Sequence, residues 1–176
     1  MSKDIWFVSD THFNHANICK FEHKGQPLRP WDDVEEMNAV MVERWNDRVQ
    51  PHDKINHLGD VVMKKADLHR FMPLLNGKKR LVRGNHDICS TEEYMQYFEQ
   101  IHGVRVLRAK NLGNIIFSHY PVHPDSLEFG VKWNVHGHMH GPCVDDPRYL
   151  NISCEHTDYA PIHFDEIIDI LSKRKV

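Results

Sequence analysis

The sequence predicts a layered α/β protein with two sheets that are covered by helices. In the first half of the chain, short apolar runs alternate with longer segments whose apolar residues recur at helical spacing. In the second half, strand-like runs follow one another and are separated by Gly, Pro, Asn and Asp, which favour turns. The alternation of strands and helices in the first half and the successive strands in the second half together indicate the two sheets.

Each element of the first half has a local reason. Residues 5–9 form a short apolar run that ends in polar residues, as a buried strand does. Residues 31–49 carry apolar side chains at helical spacing behind an acidic pair, which predicts a helix. Residues 90–101 open with a Ser/Thr cap and an acidic first turn, which predicts another helix. Further elements are predicted as strands at 53–59 and 79–83 and a helix at 65–75.

The second half is predicted to contain four strands and one helix. The strand-like runs are 104–108, 113–120, 131–138 and 148–154, and the helix lies near 164–173. We find no repeat, low-complexity segment or linker, so residues 1–176 are expected to form a single domain.

Composition excludes several classes of protein. The formal charge is −3, from 22 Lys and Arg against 25 Asp and Glu, so no global field favours a polyanionic partner. No apolar stretch is long enough for a signal peptide or a membrane helix, which predicts a cytoplasmic protein without membrane partners. The four cysteines lack CxxC spacing and are expected to be reduced thiols. The 15 histidines exceed ordinary usage, and histidine is the commonest metal ligand among side chains.

Five polar stretches each follow a predicted strand. In open α/β sheets ligands bind outside the carboxyl ends of strands, so these loops can share one cleft. Asp10 and His12 are two residues apart, as are His138 and His140, and this spacing points both side chains of a pair to one face. Each stretch alone is also typical of a turn, whereas the ordered set favours an ion site. The stretches are SDTHFNH (9–15), LGD (58–60), GNHD (84–87), SHYPVH (118–123) and HGHMHG (136–141).

This ordered set resembles the calcineurin-like metallophosphoesterase superfamily, especially its small bacterial and phage-type members. The resemblance covers residues 5 to about 160. It implies a four-layer α/β/β/α sandwich of two mixed sheets, with two metal ions at the loop ends. One ion would be held by Asp10, His12, Asp60 and His140. The other would be held by Asp60, Asn85, His119 and His138, so that Asp60 bridges the two.

The resemblance also implies cofactors and a mechanism. Oxygen and imidazole ligands suit Mn²⁺, Fe, Zn²⁺ or Ni²⁺, and Mn²⁺ is our first expectation. Two ions about 3.5–4 Å apart activate a bridging water for in-line attack on phosphorus. His86 is the expected general acid, since it lies beside Asn85 and is not a ligand in the family. Expected substrate contacts are Arg83, His15 and His123.

The expected activity is hydrolysis of a phosphodiester in a small phosphate ester or nucleotide. Cyclic nucleotides, 2′,3′-cyclic phosphates and nucleic-acid ends are the candidate substrates. A phosphomonoesterase is the close alternative, and a non-catalytic protein-binding scaffold is the third, although the chain retains His86 and every ligand. The GD motif continues with Val62 and Met63, which departs from the protein-phosphatase branch and leaves His86 without an identified partner. A homodimer is the default expectation for assembly.

Overall fold

The computed structural model describes residues 4–176. Its strands are β1 (Ile5–Val8), β2 (Glu22–His23), β3 (Gln26–Pro27), β4 (Lys54–His57), β5 (Lys78–Val82), β6 (Phe98–His102), β7 (Val104–Ala109), β8 (Gly113–Ser118), β9 (Trp133–His136), β10 (Tyr149–Asn151) and β11 (Ile162–His163). Its α-helices are α1 (Val34–Arg48), α2 (Lys65–Phe71), α3 (Thr91–Tyr94) and α4 (Phe164–Ser172). Short 3₁₀ helices lie at Ala16–Lys20, Met72–Leu74, Pro124–Glu128 and Cys154–His156.

Two mixed sheets form the centre of the molecule, as the sequence predicts. The first sheet has the strand order β11-β1-β4-β5-β6, and only β11 runs antiparallel to its neighbour. The second sheet has the order β10-β9-β8-β7, with β7 and β8 antiparallel and the other pairs parallel. Because β1, β4 and β5 are parallel, their carboxyl ends meet at one edge, and β8 and β9 likewise end together.

The two sheets pack against each other through buried aromatic and aliphatic side chains. Phe7 of β1 stacks on Phe117 of β8 with ring centroids 4.2 Å apart, and neither side chain is exposed. Leu58, Val82 and Val135 belong to the same buried cluster. This contact fixes the two sets of strand ends relative to each other, because interiors pack densely and resist sliding.

Helices α1 and α2 cover the outer face of the first sheet. Met37, Met41 and Trp45 recur at four-residue spacing on α1 and are buried with Ile55 and Leu81 of the sheet. Helix α1 begins at Val34, after Asp33 accepts a hydrogen bond of 3.0 Å from Glu35 N.

Helix α4 packs differently, because its buried residues Ile167 and Leu171 join the cluster between the sheets. The mixed α/β architecture with two mixed sheets is therefore shown, and the four-layer detail stays a prediction.

The helix predicted at 90–101 is wrong beyond its first turn. Helix α3 ends at Tyr94, and Phe98–His102 form strand β6, which pairs with β5 in parallel. The capping box between Ser90 and Glu93 was a correct local signal for a helix start. Beyond it, pairing with β5 buries Phe98 and satisfies backbone groups, so tertiary context overrides the local helical pattern.

Within residues 4–176, no helix is long and apolar enough to cross a lipid bilayer. All four cysteines lie in this range and are free thiols. Cytoplasmic location and homodimer formation stay predictions.

We predict that Phe117→Ala lowers the free energy of unfolding by about 3–5 kcal/mol, because it removes a fully buried ring and leaves a cavity between the sheets. Urea unfolding measures this change. Phe129→Ala is the matched control, since Phe129 is 85% exposed and its loss should change stability by less than about 0.5 kcal/mol. Similar effects for the two variants would contradict the packing of Phe117 between the two sheets.

Candidate metal centre

Hydrogen bonds between loops continue the strand pairing past the strand ends. Asp10 N donates to Gly59 O and His12 N donates to Asp60 O, each at 3.0 Å. Gly137 N donates to His119 O, also at 3.0 Å. The loops after β1 and β4 therefore lie side by side, as do those after β8 and β9. These bonds join four of the five polar stretches in two pairs, and His138 N, which donates to Asp10 Oδ2 at 2.9 Å, links the two pairs.

Two groups of potential ligands form there. Within each group, one side-chain atom of every residue lies within 4.8 Å of those of the others. The first ligand group is Asp10, His12 and His140, and the second ligand group is Asp60, His119 and His138.

Asp60 lies between the two ligand groups. Its Oδ2 is 3.5 Å from His12 Nε2 and also 3.5 Å from His119 Nε2. The carboxylate is buried, so it faces these imidazoles and not bulk solvent. The carboxylate of Asp60 is therefore within reach of both ligand groups.

Asn85 extends the second ligand group with an amide oxygen. His119 Nδ1 lies 2.8 Å from Leu58 O, and a carbonyl can only accept, so Nδ1 carries the hydrogen. In the neutral ring, which is the form that binds a metal ion, the lone pair of His119 Nε2 then faces Asn85 Oδ1 at 2.9 Å. Two lone pairs at this distance repel each other, and a cation bound by both atoms would remove that conflict.

Four of the candidate ligands have left-handed backbone conformations. The φ angles are 58° at Asp10, 45° at His12, 58° at Asp60 and 67° at His138. Such residues cost on the order of 1–3 kcal/mol each and cluster at functional sites. Here the positive φ turns each side chain away from its strand direction and toward the other ligands.

Glycine at two positions permits the close approach of these loops. A Cβ at Gly84 would lie 2.7 Å from Asp60 N and 2.9 Å from His119 Cε1. A Cβ at Gly137 would lie 2.8 Å from the Cβ of Ser9. All three distances are too short for any side chain, so the packing itself explains these two glycines.

Asp87 ties the loop of residues 84–87 to the loop of residues 58–60. Its Oδ2 accepts from Asp60 N at 2.9 Å and from Gly84 N at 2.7 Å, and its Oδ1 accepts from Val61 N at 3.1 Å. Tyr94 Oη donates to the same Oδ1 at 3.1 Å. The carboxylate of Asp87 thus fixes the backbone conformation at Asp60.

His57 holds the same turn from the other side. Gly59 N donates to His57 Nδ1 at 3.1 Å, so the other nitrogen carries the hydrogen and donates to Thr11 Oγ1 at 2.9 Å. Thr11 Oγ1 in turn donates to Val61 O at 2.9 Å. Burial lowers the pKa of His57 to about 4, despite the opposing charge of Asp87. The neutral ring is therefore part of the framework, a role that its position in the sequence did not reveal.

The electrostatics of the first ligand group fit a bound cation. Burial raises the pKa of Asp10, although His119 and His140 oppose this shift. Burial, and then the charge of Arg29, lowers the pKa of His12 well below its ordinary value. A divalent cation would stabilise the charged carboxylate and the neutral imidazole together.

The donor atoms also fit. His12 Nδ1 is buried and has no hydrogen-bond partner among the residues that the structure describes. Oxygen and imidazole donors without thiolate suit the divalent ions expected from the sequence.

A cavity of about 180 Å³ opens beside the two ligand groups. His86 is half-buried in its wall, with its ring centroid 5.5 Å from that of His12. His15 also lines the cavity, 5.6 Å from the same ring. Ile18 and Phe21 add an apolar side to it.

Two of the expected substrate contacts are placed elsewhere. The Arg83 guanidinium donates to the carbonyls of Asp87 (2.9 Å) and Cys89, which supports the loop of residues 84–87 from within. His123 is exposed and accepts a hydrogen bond of 3.3 Å from Asp125 N at the start of a 3₁₀ helix. Neither side chain lines the cavity, so substrate contact by either stays a prediction.

Sequence reasoning missed Arg29 and Glu155. Both are buried or nearly so, and they hydrogen-bond to each other and to the metal-centre residues. No sequence pattern flags them, because Arg29 lies in an irregular segment and Glu155 follows the last of the polar stretches.

Two mixed sheets whose loop ends gather carboxylate, amide and imidazole groups define a metal-dependent phosphoesterase type of fold and site. A family model, the calcineurin-like phosphoesterase superfamily domain, matches residues 4–153. The chain belongs to this superfamily, whose members hydrolyse phosphoesters with the help of metal ions. A small phosphate ester is therefore the class of substrate to expect.

Several relatives resemble the chain over 80% or more of its length. An uncharacterized protein of Methanocaldococcus jannaschii is 32% identical over 184 aligned residues, covering 99% of this chain and 94% of its own length. The gene 66 protein of Mycobacterium phage L5 is 26% identical, covering 80% of this chain and 79% of its own. The crystal structure of a protein of unknown function from Aquifex aeolicus superposes with a TM-score of 0.70 at 28% identity, over 96% of this chain and 100% of that one. None of these names states a substrate, so they support the family and no particular activity.

The framework role of His57 predicts a pH-dependent stability. Its pKa in the folded protein, about 4, lies below its ordinary value of 6.5, so the unfolded chain binds more protons between these values. Stability is then fully present above pH 6.5 and falls as the pH drops toward 4, by up to about 3 kcal/mol from this group. Urea unfolding of the metal-free protein between pH 4 and 7 measures the slope.

The variant His57→Asn should show a shallower slope, since asparagine can accept from Gly59 N and does not titrate. His52→Asn, at an exposed histidine, should keep the slope of the parent protein. An unchanged slope in His57→Asn would refute this assignment.

Proposed function

We propose that this protein is a phosphodiesterase that uses two metal ions. The observation that carries the proposal is the position of Asp60 Oδ2, which is equally distant from an imidazole of each ligand group. One carboxylate between two sets of ligands supports a pair of neighbouring ions better than it supports a single ion or a structural site.

The residues that would hold the ions follow from the two groups. Mn²⁺ is the proposed ion, with Zn²⁺, Fe or Ni²⁺ as alternatives that the same donors accept. When bound, such a pair lowers the pKa of a water molecule to near neutrality and neutralises phosphate oxygens. The first ion would be held by Asp10, His12, Asp60 and His140, and the second by Asp60, Asn85, His119 and His138.

His86 is the proposed general acid. It lines the cavity and is half-buried, so it can reach a substrate that sits over both ligand groups. Its backbone N donates to Asp60 Oδ1 at 2.8 Å, which fixes the acid relative to the proposed bridging carboxylate. Within the described residues its imidazole has no side-chain hydrogen-bond partner, so both ring nitrogens are free to act on the leaving oxygen.

The lining of the cavity favours diesters over monoesters. A monoester carries a second negative charge at neutral pH, which phosphatases commonly match with arginine. Among the described residues, those that line this cavity include no lysine and no arginine. A diester instead has a second organic group, for which Ile18 and Phe21 offer an apolar wall. Cyclic nucleotides and 2′,3′-cyclic phosphates fit this description better than the end of a nucleic acid does, since the chain carries a net charge of −3.

We predict that removal of metal ions with a chelator abolishes hydrolysis of bis-p-nitrophenyl phosphate, and that added Mn²⁺ restores it. The rate of p-nitrophenol release measures both effects. p-Nitrophenyl phosphate, a monoester with the same leaving group, should be hydrolysed more slowly under the same conditions. Activity that is indifferent to the chelator would refute the metal-dependent mechanism, and faster hydrolysis of the monoester would refute the diester preference.

For His86→Ala, we expect both ions to remain bound while hydrolysis of esters with poor leaving groups slows by about 10²–10⁴-fold. Esters with good leaving groups need less protonation and should slow much less. Metal analysis and a series of aryl and alkyl diesters test the two statements. His52→Ala, at an exposed histidine, serves as the matched control. An equal loss across the series would argue against the acid role.

A further inference from the structure

We infer that Arg29 and Glu155 form a buried positioning pair that orients His140 and makes the first ion site bind more tightly than the second. The inference rests on the proposed function, because it assumes that the two ligand groups hold ions. It goes beyond that function, because it assigns roles to two residues outside the ligand set and gives the ions an order of binding.

Glu155 fixes the ring of His140. Glu155 Oε1 lies 3.0 Å from His140 Nδ1, and a buried carboxylate between two donors accepts hydrogen bonds. His140 therefore carries its hydrogen on Nδ1 and directs the lone pair of Nε2 toward the first ligand group, where Asp10 Oδ1 lies 3.9 Å away. A carboxylate behind an imidazole both sets its orientation and increases its basicity as a ligand.

Arg29 connects this carboxylate to the loop that bears the other two ligands. Its Nε donates to Glu155 Oε1 at 2.9 Å, and its side chain is fully buried. The remaining nitrogens donate to Asp10 O at 2.7 Å and Thr11 O at 2.9 Å. These carbonyls belong to the loop in which Asp10 and His12 have positive φ. One guanidinium thus stabilises the strained backbone of the first ligand group and the carboxylate behind His140.

The negative charge of Glu155 also offsets the positive charge of Arg29 near the first ion site. A buried guanidinium beside a cation site would repel the ion if it were not paired. Glu155 supplies that pairing with a side chain that is itself only 7% exposed. Replacing the carboxylate by an amide would therefore act on the ion in two ways, through the orientation of His140 and through an uncompensated positive charge.

The second ligand group has weaker support of this kind. Its His119 is oriented by the carbonyl of Leu58, a neutral acceptor. Its His138 has no hydrogen bond to its ring among the described residues, and Tyr120 lies against it with centroids 4.4 Å apart. Among residues 4–176, a carboxylate lies behind a ligand histidine only in the first ligand group. We expect its ion to bind first and the other ion to exchange more readily.

The test is a titration of Mn²⁺ into the full-length, metal-free protein, followed by calorimetry and by the electron paramagnetic resonance signal of free Mn²⁺. The parent protein should bind two ions in two resolved steps. Glu155→Gln should weaken the tighter step by about 10–100-fold and leave the weaker step unchanged. Glu35→Gln is the matched control, since Glu35 also pairs with an arginine, Arg70, but on the exposed surface.

Two further variants test the order of binding without altering the pair. His140→Gln should remove the tighter step, whereas His119→Gln should remove the weaker one. This comparison remains informative if Glu155→Gln proves too unstable to titrate.

The outcomes separate this inference from the proposed function. If the parent protein binds two ions and Glu155→Gln loses stability but keeps both affinities, or loses both equally, the pair is only structural and the inference is wrong. The reverse assignment of the two steps to His140 and His119 would also overturn it. A parent protein that binds no ion and hydrolyses no ester refutes the proposed function itself, and this inference with it.

Discussion

The site depends on holding the carboxylate of Asp60 at the junction of loops from both sheets. Three independent contacts serve this purpose. Asp87 accepts a hydrogen bond from the backbone N–H of Asp60, and His57 accepts one from that of Gly59. Backbone N–H groups of the loop after β1 donate to the carbonyls of Gly59 and Asp60. The conformation at Asp60 is itself unfavourable, so it persists only because these contacts over-determine it. The dense packing between the sheets supplies the rigid base, since strand ends that could slide would not keep atoms of different strands within ligand distance.

Burial gives this arrangement its chemical character. Asp10, His12 and Asp60 are almost fully removed from solvent, so they interact with one another, and with any bound ion, more strongly than with water. The carboxylate of Glu155 and the guanidinium of Arg29 extend this network into the protein and keep its charges in pairs. The result is a polar region in which each group depends on its neighbours, which is how buried polar networks specify one geometry.

Local patterns allowed two sheets and a shared cleft at the strand ends to be predicted, whereas the mixed character of the sheets and the two ligand sets came from the family resemblance. Asp10 and His12 share a face by their spacing, and each polar stretch follows a recognisable strand. The errors and omissions have a different origin. Phe98–His102 carry a helical pattern that pairing with β5 overrides. Arg29 and Glu155 meet across 126 positions, and a single contact over such a distance leaves no local signal. The framework role of His57 depends on the hydrogen bonds of its two ring nitrogens, which the local sequence does not reveal.

The link between Arg29 and Glu155 has a consequence for the way in which the site is assembled as the chain folds. The family match ends at residue 153, and the carboxylate behind His140 follows two positions later. A chain in which every proposed ligand has already gathered still lacks this partner until the 3₁₀ helix Cys154–His156 has docked. Completion of the proposed first ion site is thereby coupled to the docking of a segment that lies outside the matched region.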